Sequence, residues 1–198
     1  MTESEQLAGD DRIVEQDSAT PQRRNWDSVT ALIAAMIGVL ALLVSGYTAY
    51  IQRQQVRAEV WPSLLIGFYE PELAVGVHNK GVGPAIVGSI QVWVDGQPAR
   101  GWTQVLQALG LPAEGIGVST LSNTVISPGE RVLAIRMADP ASYQAFRDKL
   151  VSRLNTEVCY CSTLGECWLY SDRTATRKPR LSAIGQCPVV PDGQAFED

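Results

Sequence analysis

The chain has a single histidine, His78, in 198 residues, so any site built on two imidazoles is excluded. No G-x-S-x-G elbow, Walker loop, H-E-x-x-H or G-x-G-x-x-G is present. Gly81-x-Gly83 is followed by Pro84 and not by a helix start, so it forms no phosphate cradle. Beyond residue 51 there are 14 acids and 13 bases. That near-neutral balance has no basic excess to attract nucleic acid. Cysteine is missing until position 159, and a redox C-x-x-C is missing throughout. Nothing in the spacing puts His78 beside a nucleophile and a carboxylate. It reads as a hydrogen-bonded histidine at a strand end beside Asn79. No enzyme, cofactor or metal is expected from these residues.

The chain is instead dominated by Val29–Ile51, 23 residues without a charged side chain. As a helix they span roughly 34 Å, against about 30 Å of bilayer hydrocarbon. The run is apolar all round and so has no water-facing stripe. It begins too far from residue 1 for a signal peptide, and no A-x-A-like cleavage site follows it. We read it as a transmembrane helix in the lipid bilayer, with Trp26, Tyr47 and Tyr50 as interface aromatics. Residues 1–28 are polar and carry most of the chain's net charge of -5; we expect a disordered acidic tail. Residues 52–60 lack a helix breaker and read as a juxtamembrane extension, stopped by Trp61-Pro62.

Residues 61–187 alternate short β-prone runs with turns. Leu73–His78 alternates with Leu73, Val75 and Val77 on one face, and Ala85–Val94 is the strongest strand. Asp95-Gly96 is the clearest hairpin signal. The turn Asn79-Lys80-Gly81-Val82-Gly83-Pro84 offers two glycines able to take positive φ and a proline to fix the exit. Residues 104–122 read as a loop with one helical turn near Gln104–Leu109. Asp139-Pro140 supplies an N-cap and N1 for a helix over 140–154, with Tyr143, Phe146, Leu150 and Leu154 on its apolar stripe. Arg147, Asp148, Lys149 and Arg153 fall on the stripe's water side. The pattern indicates an antiparallel β-sandwich with one packed α-helix. Residues 188–198 read as an irregular C-terminal tail.

The cysteines are spaced C-x-C-x5-C-x19-C. Cys159 and Cys161 share a strand face and rarely bridge as immediate neighbours. A fold-back at Ser162–Glu166 brings Cys167 opposite Cys161, which leaves Cys159 for Cys187. Four cysteines allow three pairings. Free structural thiols and a zinc site stay open as alternatives, although paired C-x2-C knuckles are absent. Disulfides in a domain beyond an anchor favour an oxidising compartment, whereas thiols or zinc would favour the cytoplasm. Basic flanks barely choose a topology: Arg23 and Arg24, with Arg12 further out, oppose Arg53 and Arg57. Together these observations give an N-terminus inside and the domain outside.

Two motifs resemble a known group. Trp61-Pro62 precedes Asn79-x-Gly81-x-Gly83-Pro84-Ala85 and Asp95-Gly96, and Tyr160-Cys161-Ser162-x-x-Gly165-Glu166-Cys167-Trp168 follows. Together they resemble uncharacterised single-pass bacterial membrane proteins with an immunoglobulin-like β-sandwich. The resemblance implies a bacterial envelope setting; with the topology read from the cysteines and basic flanks, the expected place is the bacterial inner membrane, N-terminus cytoplasmic and domain periplasmic or extracellular. It implies no catalytic residue.

Two functions from different classes are expected. One is a protein-binding or accessory subunit of a membrane complex, using edge strands and the basic run Arg173, Arg177, Lys178 and Arg180 against another envelope protein. The other is a ligand-binding sensor that signals through the helix to the tail, with a pocket near Asn79–Pro84. Trp93 and Trp102 read as core residues, with a carbohydrate-stacking platform as the rival.

Overall fold

The computed structural model describes residues 21–173, 180–191 and 194–197, with side chains from residue 26 onward. Of the expected acidic tail, residues 1–20 lie outside the described residues. The chain divides into two units between Ile51 and Gln52.

Helix α1 covers Pro21–Glu59. It starts before the apolar run, so residues 21–28 belong to the helix and not to a tail. The reason is local. Pro21 fits the first helical turn, and nothing between it and Val29 breaks a helix. Trp26–Glu59 is long and apolar enough to cross a membrane, and its most apolar window is not buried by protein at all.

The second unit is built on two antiparallel sheets. One has four strands in the order β1 (Leu64–Tyr69), β2 (Ala74–Asn79), β7 (Arg131–Met137) and β5 (Ile116–Val118). The other runs β10 (Leu181–Ile184), β9 (Cys167–Ser171), β8 (Leu154–Cys161), β3 (Ala85–Val94) and β4 (Gln97–Ala99), with β6 (Val125–Ile126) also on β3. The β3–β8 pairing is the longest in the domain, from Ile86 opposite Cys161 to Val94 opposite Leu154. Two helices pack on this frame, α2 (Trp102–Leu109) and α3 (Pro140–Arg153).

The sandwich-like layering follows from the alternation of apolar residues. Val87, Ile90 and Val92 of β3, Val158 and Tyr160 of β8, and Val77 and Ile135 from the facing sheet share one core. Asp95 (φ 51°) and Gly96 (φ 80°) make the β3–β4 hairpin turn. Asp139 caps α3 by accepting from the Ser142 N–H at 3.0 Å.

Several local expectations change. Leu73 is not in β2. It stands at φ 52°, closing a short 3-10 turn over Glu70–Glu72. The 104–122 stretch holds a full helix, α2, which buries Val105, Leu106 and Leu109 and ends on Gly110 at φ 64°. The charged side of α3 is pinned to its neighbours: Arg147 pairs with Glu70, Lys149 donates to the Leu109 carbonyl at 2.8 Å, and Arg153 pairs with Asp95. The last residues do not form a mere tail. Phe196 is 3% exposed and meets the Trp102 ring edge-on with centroids 5.1 Å apart. The Glu197 N–H donates to the Arg100 carbonyl at 2.7 Å. The domain core therefore extends past residue 187.

Candidate ligand-binding site

The inner faces of the two sheets do not close on each other everywhere. A cavity of about 510 Å³ lies between them. Ile66, Phe68, Val75 and Val77 line it from one sheet, and Ile90, Val92 and Val158 line it from the other. Trp102 of α2, Leu150 of α3 and Phe196 complete the apolar wall. Protein interiors have few voids larger than a water molecule. A closed, empty void of this size, at about 24 cal/mol per Å³, would cost on the order of 10 kcal/mol, comparable to a domain's whole stability. This cavity instead reaches the surface at exposed Val151, Ser152 and Arg180. Its size falls in the range of about 300–1,000 Å³ typical of small-molecule sites.

The rim is polar. Asn155, Thr156, Tyr170, Asp172 and Arg180 stand together there. The Thr156 N–H donates to the Asp172 carboxylate at 2.6 Å. Burial pushes the Asp172 carboxyl up from its ordinary range, against the opposing effects of the Thr156 N–H, the Asn155 side chain and the Arg180 charge. Burial, helped by Asp172, likewise raises the Tyr170 phenol and keeps it neutral at ordinary pH. Within the wall, the Trp102 indole Nε1–H is buried and finds no acceptor among the described residues. An apolar interior with a few convergent polar groups is the arrangement of a binding site for an amphipathic small molecule.

The basic run expected as one surface is divided. Arg180 is at the cavity mouth, but the Arg173 guanidinium lies over the Trp93 ring, 4.3 Å from its centroid. Arg177 and Lys178 lie outside the described residues. Trp93 is buried but, alternating with core Val92 and Val94, lies on the other face of β3 under that arginine and not in the core as expected, whereas Trp102 is a core residue that also walls the cavity.

The turn at Asn79 is a clamp, and none of Asn79–Pro84 lines the cavity. Asn79 is fully buried. Its Oδ1 accepts from the Ser63 and Gly81 N–H groups at 3.2 and 3.0 Å. Its Nδ2 donates to the carbonyls of Gly83 and Ile126 at 2.8 and 3.0 Å. All of the amide's hydrogen-bonding capacity is thus used inside the protein. The N–H groups of Val82 and Gly83 both donate to the Trp61 carbonyl, at 3.1 and 3.2 Å. Gly81 and Gly83 are glycines for close approach and not for positive φ. A Cβ on Gly81 would stand 2.4 Å from the Trp61 oxygen, and one on Gly83 would stand 2.1 Å from the Val60 oxygen. The turn therefore grips the backbone where the helix extension ends. Pro84 follows and leads into β3. On the same extension, Arg57 pairs with Glu166 of the 162–166 loop at 3.1 Å.

The four cysteines form two disulfides, Cys159–Cys187 and Cys161–Cys167. They pack together, with the Sγ atoms of Cys161 and Cys187 3.7 Å apart. The first staples the segment after β10 to β8. It passes over Gly88, where a Cβ would meet the Cys187 sulfur at 3.0 Å. Three of the sulfurs lie close enough to share a metal ion, but in disulfides they offer no thiolate to bind one.

Sequence reasoning did not find Asp172, Phe196 or the cavity itself. A void is a property of two faces that meet only in the fold, and no spacing encodes it. The signal present was partial: Trp102 and Arg180 stood out individually, and neither pointed to the other. Compared with known proteins, the chain matches no family model, no curated protein and no solved structure.

Proposed function

We propose that the chain is a single-pass membrane protein whose domain, an immunoglobulin-like sandwich stapled by disulfides, binds a small amphipathic molecule between its sheets without transforming it. The observation that carries this reading is the apolar cavity of about 510 Å³ with its polar mouth at Asp172 and Arg180. The exposed apolar helix supports the anchor. The two disulfides support an oxidising compartment, and so a cytoplasmic N-terminus with the domain on the far side of a bacterial inner membrane. Occupancy would be signalled through the helix extension, which the Asn79 clamp ties to the sheets.

Titration of the full chain, held in an amphipathic polymer, with the apolar fluorophore N-phenyl-1-naphthylamine tests the reading. Saturable binding at one probe per chain supports it. Emission no higher than in the polymer alone overturns it.

A second reading, an accessory subunit that docks on another envelope protein, is favoured by the open sheet edges. Strands β1 and β5 end one sheet and β10 and β4 end the other, and Leu65 on β1 is exposed. In-cell crosslinking through β1 that captures no protein, with the purified chain running as a monomer, would remove this reading.

A further inference from the structure

We infer that the cavity takes a single-chain amphiphile whose apolar part carries a hydrogen-bond acceptor, seated on the Trp102 indole, with a polar head of balanced charge at Asp172 and Arg180. This rests on the binding role proposed above and specifies the ligand's chemistry.

Three observations narrow the class. The wall between the sheets is hydrocarbon and aromatic, supplied by residues such as Phe68, Val77, Ile90 and Val158, so a sugar or nucleotide would leave its polar groups unpaired there. Trp102 is part of that wall, and its buried Nε1–H, a donor only, finds no acceptor among the described residues. A pure hydrocarbon would leave it unsatisfied, whereas an ester or amide carbonyl within the chain would satisfy it. The mouth presents one carboxylate and one guanidinium together, Asp172 and Arg180, with the Asn155 side chain hydrogen-bonded to Asp172. That pair complements a head carrying both signs better than a simple anion. The volume is that of a drug-sized ligand, which a two-chain phospholipid exceeds.

The test uses the full chain in amphipathic polymer and competition against N-phenyl-1-naphthylamine. Two competitors are compared below their micelle-forming concentrations: a lysophosphatidylcholine with an ester-linked chain, and its ether-linked analogue of equal length, which lacks the carbonyl. The expected result is displacement by both, with the ester about fivefold tighter, the worth of one ordinary hydrogen bond. In the Trp102→Phe variant the ratio is expected to fall to one. The wild-type ratio alone is decisive if the variant does not fold. Equal affinities in the wild type overturn the assignment of a carbonyl as the Trp102 partner, because the ether oxygen is a weaker acceptor than the ester carbonyl. Binding of the fluorophore with no displacement by either lipid overturns the single-chain class and leaves the binding role standing. Failure of the fluorophore itself to bind is the separate outcome that removes the underlying role.

Discussion

Gly83 presses against the carbonyl of Val60 so closely that a Cβ on Gly83 would lie 2.1 Å from that oxygen. The obstructing atoms are backbone and cannot swing aside. Gly83→Ala is therefore expected to destabilise the domain by roughly 3 kcal/mol or more. Thermal unfolding followed by tryptophan fluorescence checks this. Proteolysis should appear near Trp61, because the clamp can no longer seat the end of the helix extension.

Asn79 links four backbone groups from three segments through one side chain. Asn79→Ala strands them in a buried place and is expected to cost roughly 3 kcal/mol. Asn79→Asp should be no better. It replaces the Nδ2 donor with an oxygen facing the Gly83 and Ile126 carbonyls. Denaturant melts of the two variants beside the wild type are the check.

The Cys159–Cys187 link closes a loop of 28 residues. Replacing both cysteines by serine is expected to lower stability by about 3 kcal/mol. The Cys161–Cys167 link closes a separation of only 6 and should matter less. Peptide mapping without reduction, followed by melts of the two double variants, tests both the pairing and the order.

Asp139 accepts from the Ser142 N–H and hydroxyl, which holds its carboxyl below the ordinary range. A folded-state pKa below the unfolded one gives stability that is present above the unfolded pKa and is lost as pH falls through the folded pKa. Asp139→Ala should therefore melt earlier than the wild type at pH 7, and the gap should narrow at pH 3. Asp172 has the opposite sign. Its raised carboxyl favours the protonated folded form, so Asp172→Asn should flatten whatever stability the wild type gains as pH falls toward 4. Tm measured across that range separates the two effects.

What the sequence made legible was local. The 23-residue apolar run, the Asp139-Pro140 helix start and the Asp95-Gly96 hairpin are each written in a few neighbouring residues, and the described helix and strands stand at those places. The illegible part depended on distance along the chain. Strand β10 has only four residues and exists because it pairs with β9. Phe196 is apolar within a polar tail, and only the Trp102 ring gives it a place. Asn79 and its glycines were visible as a turn, but their purpose was not. Close approach to Val60 and Trp61 belongs to residues some twenty positions away, and a turn motif predicts positive φ instead. The cavity lies further still from the sequence, because it is the space left where Val75 and Val77 face Ile90 and Val92.

The most direct test of the cavity as a binding site is to fill it. Ala134 is buried and lines the cavity from β7, so Ala134→Phe places a ring in the void without touching the clamp or the disulfides. Naphthylamine titration and a melt are run together on this variant and the wild type. One probe per wild-type chain and almost none for Ala134→Phe are expected, with the variant's Tm equal or higher because filling a void stabilises the fold at the expense of the site. Equal probe binding by the two, in a variant that melts as a folded protein, would contradict the cavity as the binding site.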